Sequence, residues 1–327
     1  MKNFLYCFDS NYNIQGFCST YSLLENLDEP ANIFIIHKDP KTFSKLQKKL
    51  EQHQNLNSLN IYKFQNYDFD FPNISNQHVS EATYYRLFIS KYIPDDIKYL
   101  IYIDADAFFL NPIKKDLYSI FENFQKSNFG IAAKTTNEVL DDPTIKELGL
   151  TKSMYFNAGI LFIDYERWRN EKYFVKLIDI LENSKIQFKS WDQDILNIFF
   201  DGNYFELNEE LNFNINRIER KNENQIELIE KNVTIIHYIG SPKPWNIKGL
   251  FSPGYVFFYN IFRDLFNEVY FLNINNRTNF IAFLIKVVLL KERIYVDKKI
   301  KFLEEIIFAL FLKKDKNIIR KIKKLKL

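Results

Sequence analysis

The chain is poor in the residues that break or staple a fold: among its 327 residues are 8 glycines, 9 prolines and 2 cysteines. So little glycine and proline excludes a long flexible linker and a low-complexity domain. No internal repeat is visible. Two cysteines exclude a disulfide framework, and Cys7 and Cys18, without metal-ligand spacing, read as buried free thiols. Met1-Lys2-Asn3 leads straight into a short predicted strand, so no signal peptide is read and a reducing, cytosolic setting is expected. Apolar runs of bilayer length are missing too. The longest, 280–290 and 302–312, hold eleven residues each and are interrupted by charge, against about 20 for a membrane-spanning helix.

Aromatics are plentiful, with Phe 33 and Tyr 20, and the length suffices for one large α/β core or two smaller ones. Charge is unevenly placed. Residues 286–327 hold fourteen Lys/Arg against five Asp/Glu, a local +9, so within a net +3 the remainder carries −6. Lys313 to Leu327 sets Ile318, Ile319, Ile322 and Leu325 among lysines. Such spacing makes an amphipathic basic helix suited to an anionic membrane surface. A helix packed on the body with a solvated basic face, or a nucleic-acid patch, has the same composition; the acidic body argues against a general nucleic-acid binder.

Periodicity predicts strands over 3–8, 31–37, 58–64, 99–103, 129–133, 156–163 and 233–239. Between them it predicts helices over 16–26, 42–54, 80–91, 165–183 and from 192 to 200. Alternation of this kind argues a mostly parallel sheet covered on both faces, with ligands outside the carboxyl ends of the strands. The body is expected to end near Asn267, leaving domains 1–267 and 268–327. The strand Tyr99 to Ile103 stops at Asp104-Ala105-Asp106. In extended chain residues i and i+2 point the same way, and two converging anions call for a cation between them. A strand-end turn with two solvated aspartates fits the same three residues.

Seven ordered segments carry a resemblance that covers residues 3–250 or so. They are Phe8-Asp-Ser-Asn-Tyr12, Ala82-Thr-Tyr-Tyr-Arg-Leu-Phe88, Tyr92-Ile-Pro94, Tyr99-Leu-Ile-Tyr-Ile-Asp-Ala-Asp106, Phe156-Asn-Ala-Gly159, Trp191-Asp-Gln-Asp-Ile-Leu-Asn197 and His237-Tyr-Ile-Gly-Ser-Pro-Lys-Pro-Trp245. Together they resemble the retaining glycosyltransferases of family 8, among them bacterial lipopolysaccharide galactosyl- and glucosyltransferases and glycogenin. The resemblance implies an α/β GT-A fold, a Rossmann-like mixed sheet that binds a nucleotide sugar and is flanked by helices, here followed by a helical basic C-terminal tail.

It also implies a UDP-sugar donor and a divalent cation held by Asp104, Asp106 and His237. Carboxylate with imidazole suits Mn²⁺, with Mg²⁺ as the alternative. Lys243 looks like a phosphate lysine on a loop that Gly240 lets close on the ligand; a solvated loop lysine is its other reading. Asp9 and Asn11 resemble base and ribose contacts, with the backbone at Cys7 and the His78-Val79 step, and the ring of Tyr12 flanking the uracil. Asp104 and Ala105 border the nucleotide. Arg86 resembles the arginine that holds the donor, though a helix-surface cation has the same spacing. Asn157, Asp192 and Gln193 look like the sugar-facing catalytic set, with Asp192 also readable as the N-cap of its helix. An amide is a poor nucleophile, so front-face substitution, sheltered by Gln193 and Asp192, is favoured over a covalent route through Asp192.

One position departs from the family. Lys134 stands where an aspartate usually lies near the donor sugar, which changes the sugar held, admits an anionic acceptor, or is compensated by Asp141 or Asp142. The implied activity is transfer of galactose or glucose to a lipopolysaccharide, another glycan or a glycolipid, on the inner face of the cytoplasmic membrane. A nucleotidyltransferase or phosphohydrolase also uses Asp-x-Asp but needs a further carboxylate cluster or nucleophile not placed here. A non-catalytic membrane-surface protein of the same fold has only Lys134 in its favour.

Overall fold

The computed structural model describes residues 2–65, 69, 71–72, 80–113, 119–136, 143–152, 154–218, 224–266, 285–287 and 294–295. They belong to two compact units, Met1–Asn212 and Phe213–Leu327.

In the first unit β1 (Lys2–Phe8), β2 (Ala31–His37), β3 (Leu56–Lys63) and β4 (Tyr99–Ile103) are joined through α1 (Asn13–Glu25) and α2 (Ser44–Leu50). A short β5 (Ala107–Phe109) and α3 (Ser119–Lys126) follow, then β6 (Ile131–Thr135), α4 (Pro143–Lys146) and β7 (Phe156–Asp164). Helices α5 (Tyr165–Asn170), α6 (Tyr173–Asn183) and α7 (Asp192–Phe200) lead to β8 (Phe205–Glu206). The sheet order is β3-β2-β1-β4-β7-β6-β8. Successive residues Phe4, Leu5 and Tyr6 are all buried. Since they point to opposite faces, both faces of the sheet are covered.

The expected parallel arrangement holds from β3 to β4, but β7 runs antiparallel to both β4 and β6. A parallel return needs a crossover of a dozen residues or more, usually helical. Between β6 and β7 the described helix is the four-residue α4, so direction was not fixed by the alternation. Phe4 and Leu5 pair with Ile101 and Tyr102 in parallel register. The carboxyl ends of β1 and β4 therefore emerge side by side, with Asp9 and Asp104 on one rim.

Three predicted helices change character. Glu81–Lys91 is a 3₁₀ helix rather than an α-helix, capped by Ser80, whose hydroxyl accepts from Ala82 N. Eleven residues is long for that tighter winding, which marks a segment held by tertiary packing; it buries Tyr84, Tyr85, Arg86 and Phe88. The helix expected over 165–183 is broken by Lys172, left-handed at φ 55°. The one expected over 42–54 begins as the 3₁₀ turn Pro40–Phe43 and ends at Leu50.

In the second unit β9 (Phe213–Asn214) pairs in parallel with β10 (Ile235–His237), and α8 (Asn224–Asn232) and α9 (Tyr255–Phe266) complete the labelled elements. Its core includes Ile215, Tyr238, Trp245, Leu250 and Phe258, all buried. The strand expected over 233–239 stops at His237, because Ile239 N turns back to donate to His237 O and Gly240 follows at φ 80°. The expected boundary near 267 and nearly all of the tail lie outside the described residues, as do His78, Val79, Asp141 and Asp142. Among the described residues no helix is long and apolar enough to cross a membrane.

Candidate active site

At the end of β1, Asp9 is buried and its carboxylate accepts from Asn11 N at 2.8 Å and Asn11 Nδ2 at 3.4 Å. The two expected nucleotide contacts are thus locked to each other by an Asx-type turn. Burial pushes the Cys7 thiol up, and it is an inert free thiol, as is Cys18. Burial also pushes the Tyr12 hydroxyl up, with Asp106, Asp104 and Asp9 adding to the shift. Tyr12 therefore sits in the field of all three carboxylates of the rim.

Asp104-Ala105-Asp106 is not extended. Ala107 N donates to Asp104 O at 3.0 Å and closes a turn, so convergence of the two carboxylates comes from the turn and not from strand alternation. Their oxygens still lie within 4.8 Å of each other. Asp106 is 8% exposed and Ala105 is buried. Two carboxylates this close, one of them desolvated, have hard donor chemistry that fits a divalent cation.

Arg86 is the hub of the first unit's site. Its Nη2 donates to Asp104 Oδ1 at 2.8 Å, its Nε lies 2.8 Å from Asp192 Oδ2, and its Nη1 donates to Ala158 O. The guanidinium also stacks 4.1 Å above the Tyr102 ring. A helix-surface cation is thereby excluded. Asp192 is 2% exposed and Thr83 Oγ1 donates to its Oδ1. Burial raises its carboxyl to about 6, and Arg86 and the Thr83 hydroxyl restrain that rise. It is not the cap of α7: that position is Trp191, which makes no side-chain cap bond. The Arg86 Nε hydrogen is directed at Thr83 O, 3.2 Å away, leaving Asp192 Oδ2 paired by charge but without a directed donor. A buried carboxylate oxygen in that condition is ready to accept a hydroxyl.

Gln193 and Asn157 are bonded directly. Gln193 Oε1 accepts from Asn157 Nδ2 at 3.1 Å and Ala158 N at 3.0 Å, and its Nε2 donates to Tyr155 OH at 3.0 Å. The segment before α7 is built to present this pair. Gln193 N donates to Ser190 O, and Trp191 takes φ 53°, ψ −124°. Those values match the first central position of a type II′ turn, normally a glycine site, so strain is held here beside Asp192 and Gln193. Asp194 supports the turn, its Oδ2 accepting from Lys189 N and Ser190 N and its Oδ1 from Tyr155 OH. Tyr102, Thr83, Tyr155, Asp194 and Asn212, whose Nδ2 donates to Asn157 Oδ1 at 3.0 Å, escaped the sequence reading. Tyr102, Thr83 and Asp194 stood inside quoted segments without a role of their own, and Tyr155 and Asn212 carried no signal. Lys134 pairs with Glu206 Oε1 at 2.6 Å, and Thr135 N donates to the same carboxylate, so the unfamiliar cation is charge-compensated by β8.

In the second unit His237 ends β10 and is buried. Lys243 is also buried, its ammonium donating to Tyr238 O, which excludes a solvated loop lysine. The loop is held from behind by a glycine the sequence did not advertise. A Cβ on Gly249 would lie 2.0 Å from Lys243 O, whereas one on Gly240 would meet nothing nearer than Pro242 Cδ at 3.9 Å. Gly249→Ala will therefore displace backbone, costing about 2–3 kcal/mol. Gly240→Ala pays only the left-handed penalty of about 1–2 kcal/mol. Thermal melts of both variants check the order, and an equal or smaller loss for Gly249→Ala removes the close approach as a constraint.

A model of the family described as glycosyl transferase family 8 matches residues 3–249. A putative glycosyltransferase of Haemophilus influenzae is 28% identical over 250 residues, covering 75% of this chain and 73% of the relative. A lipopolysaccharide 1,2-glucosyltransferase of Escherichia coli is 26% identical over 261 residues, covering 75% and 72%. Among solved structures, the galactosyltransferase LgtC in complex with donor and acceptor sugar analogs matches with a TM-score of 0.65 at 21% identity, covering 80% of this chain and 95% of that one. That likeness shows the fold, which is GT-A.

Proposed function

The chain belongs to glycosyl transferase family 8 and is a glycosyltransferase, and on that premise we propose that it is a retaining, metal-dependent enzyme moving galactose or glucose from a UDP-sugar to a glycan. The observation that carries this reading is one buried guanidinium, Arg86, joined to both the Asp-x-Asp carboxylate Asp104 and the buried carboxylate Asp192.

In this reading Asp104 and Asp106, with His237 of the second unit, would hold Mn²⁺ or Mg²⁺. The chemistry such a cation would supply is Lewis-acid charge against the leaving pyrophosphate. Lys243 contributes positive charge to the departing nucleotide, with Gly240 allowing its loop to approach. Asp9, Asn11, Tyr12 and the backbone at Cys7 and Ala105 bind the nucleoside, joined by His78 and Val79. Arg86 orients the donor, and Asp192 accepts a sugar hydroxyl through Oδ2. Gln193 and Asn157 line the face where the anomeric carbon reacts. The C1–phosphate oxygen bond breaks as the acceptor oxygen bonds C1 on the same face, and the acceptor proton passes to the leaving phosphate. Relatives named as lipopolysaccharide glucosyl- and galactosyltransferases support a cell-surface glycan or glycolipid as acceptor. The +9 segment at 286–327 supports docking on an anionic membrane, at the inner face of the cytoplasmic membrane. The Lys134–Glu206 pair supports an uncharged hexose over a hexuronate, since its ammonium is already neutralised.

The test is release of UDP from UDP-glucose, UDP-galactose and UDP-glucuronate with Mn²⁺, with and without a chelator. A neutral hexose donor should be turned over, the chelator should stop it, and Asp106→Asn should lower it by more than about a hundredfold. Turnover that survives the chelator removes the metal from the mechanism, and silence with both neutral donors removes the donor class.

A further inference from the structure

We propose that Tyr102, on β4, is a positioning residue that sets the orientation of the Asp104 carboxylate for the cation, an inference that rests on the metal reading above. The geometry is compact. Tyr102 OH donates to Asp104 Oδ1 at 2.5 Å, and Arg86 Nη2 donates to the same oxygen at 2.8 Å. A charge-assisted bond this short is among the stronger hydrogen bonds available to a carboxylate. Two donors on one oxygen fix the carboxylate about its terminal torsion, which is otherwise broad.

Tyr102 does this from a place that cannot shift. It is fully buried, and its strand is clamped between β1 and β7. Its ring is also the floor under Arg86, with the guanidinium carbon 4.1 Å from the centroid. One side chain thus holds the Asp104 carboxylate by its hydroxyl and the second donor by its face. A buried phenol has its own reason to be paired, because an unpaired hydroxyl in the core is costly. Pairing alone, however, does not require the partner to be the carboxylate at the end of the same strand. Outer-shell partners of metal ligands typically change affinity by about 10- to 100-fold when removed.

The experiment titrates Mn²⁺ into the full chain by calorimetry and by the electron-spin signal of free Mn²⁺, without any donor sugar. Tyr102→Phe keeps the ring under Arg86 and removes only the hydroxyl. It should bind Mn²⁺ about tenfold more weakly, with turnover at saturating Mn²⁺ falling much less. Tyr165→Phe, which loses a buried hydroxyl bonded to Ile93 O, should bind Mn²⁺ like the wild type. If Tyr102→Phe does not fold, Arg86→Lys carries the same expectation, since it keeps the charge but loses the fork that reaches Oδ1. A wild type that binds Mn²⁺ beside a Tyr102→Phe protein that binds it equally overturns the inference alone. A wild type that takes up no Mn²⁺ overturns the metal reading and this inference together.

Discussion

Arg86→Met will melt at least several degrees below the wild type and transfer sugar on the order of a thousandfold more slowly. Arg86 is 7% exposed and paired with Asp104 and Asp192, each at 2.8 Å. Taking the cation from a buried pair leaves the anions uncompensated, which costs about 3–5 kcal/mol. For a domain of this size each kcal/mol moves the midpoint by about 2–4 °C, so a fall of roughly 6–20 °C is expected. The site also changes its charge. Burial already raises the Asp192 carboxyl to about 6 against the pull of Arg86. Without that pull it rises further toward neutral pH, losing the anion proposed to accept a sugar hydroxyl. Arg86→Lys should fall between the two, since a point charge cannot reach Asp104 Oδ1, Asp192 Oδ2 and Ala158 O together. Differential scanning of the three proteins and their donor turnover check this. An Arg86→Met protein with wild-type melting and turnover shows that the two ion pairs neither hold the fold nor serve the reaction.

Much of this was legible because the chemistry is written in short ordered segments. Asp104 and Asp106 announced themselves at a strand end, and α7 begins at Asp192 as expected. What the sequence could not show is how the groups are coupled. Arg86 reaches Asp192 across 106 positions of chain and Tyr102 meets Arg86 through a ring face. No periodicity carries such long-range pairings. The two carboxylates converge through a turn instead of an extended strand, because the bond from Ala107 N to Asp104 O is a local choice that residue type does not force. The 3₁₀ winding of Glu81–Lys91 was hidden for a similar reason. Its apolar spacing suits an α-helix as well, and packing of Tyr84, Tyr85 and Phe88 decides between them. Strand direction at β7 was beyond the pattern too, since alternating apolar residues say which faces are buried and not which way the strand runs.

Asp192 will give the rate an acid limb near pH 6, and the same group will move stability the opposite way. Its carboxyl is raised from an ordinary 3.8 to about 6, first by burial and against the pull of Arg86 and the Thr83 hydroxyl. In the proposed reaction the ionised form accepts the sugar hydroxyl at Oδ2. kcat/KM, which reports the free enzyme, should therefore fall as pH drops through about 6, the value its environment sets. Asp192→Asn keeps the shape but not the charge, and should lower the rate by about a hundred- to a thousandfold while flattening that limb. For folding, the native state binds this proton more tightly than the unfolded chain does. Stability from this group is complete below the unfolded value and is lost as pH rises through the folded one, an effect on the order of 2–3 kcal/mol. Wild type should thus gain on Asp192→Asn in melting temperature between pH 7.5 and pH 5, over the window in which its rate declines. A limb that persists unmoved in Asp192→Asn assigns the titration to another group. A melting difference that shrinks toward acid pH means that the buried carboxylate is not held at a cost. If both signs hold, the enzyme is keeping an anion where the fold disfavours it, as a site that must accept a hydroxyl requires.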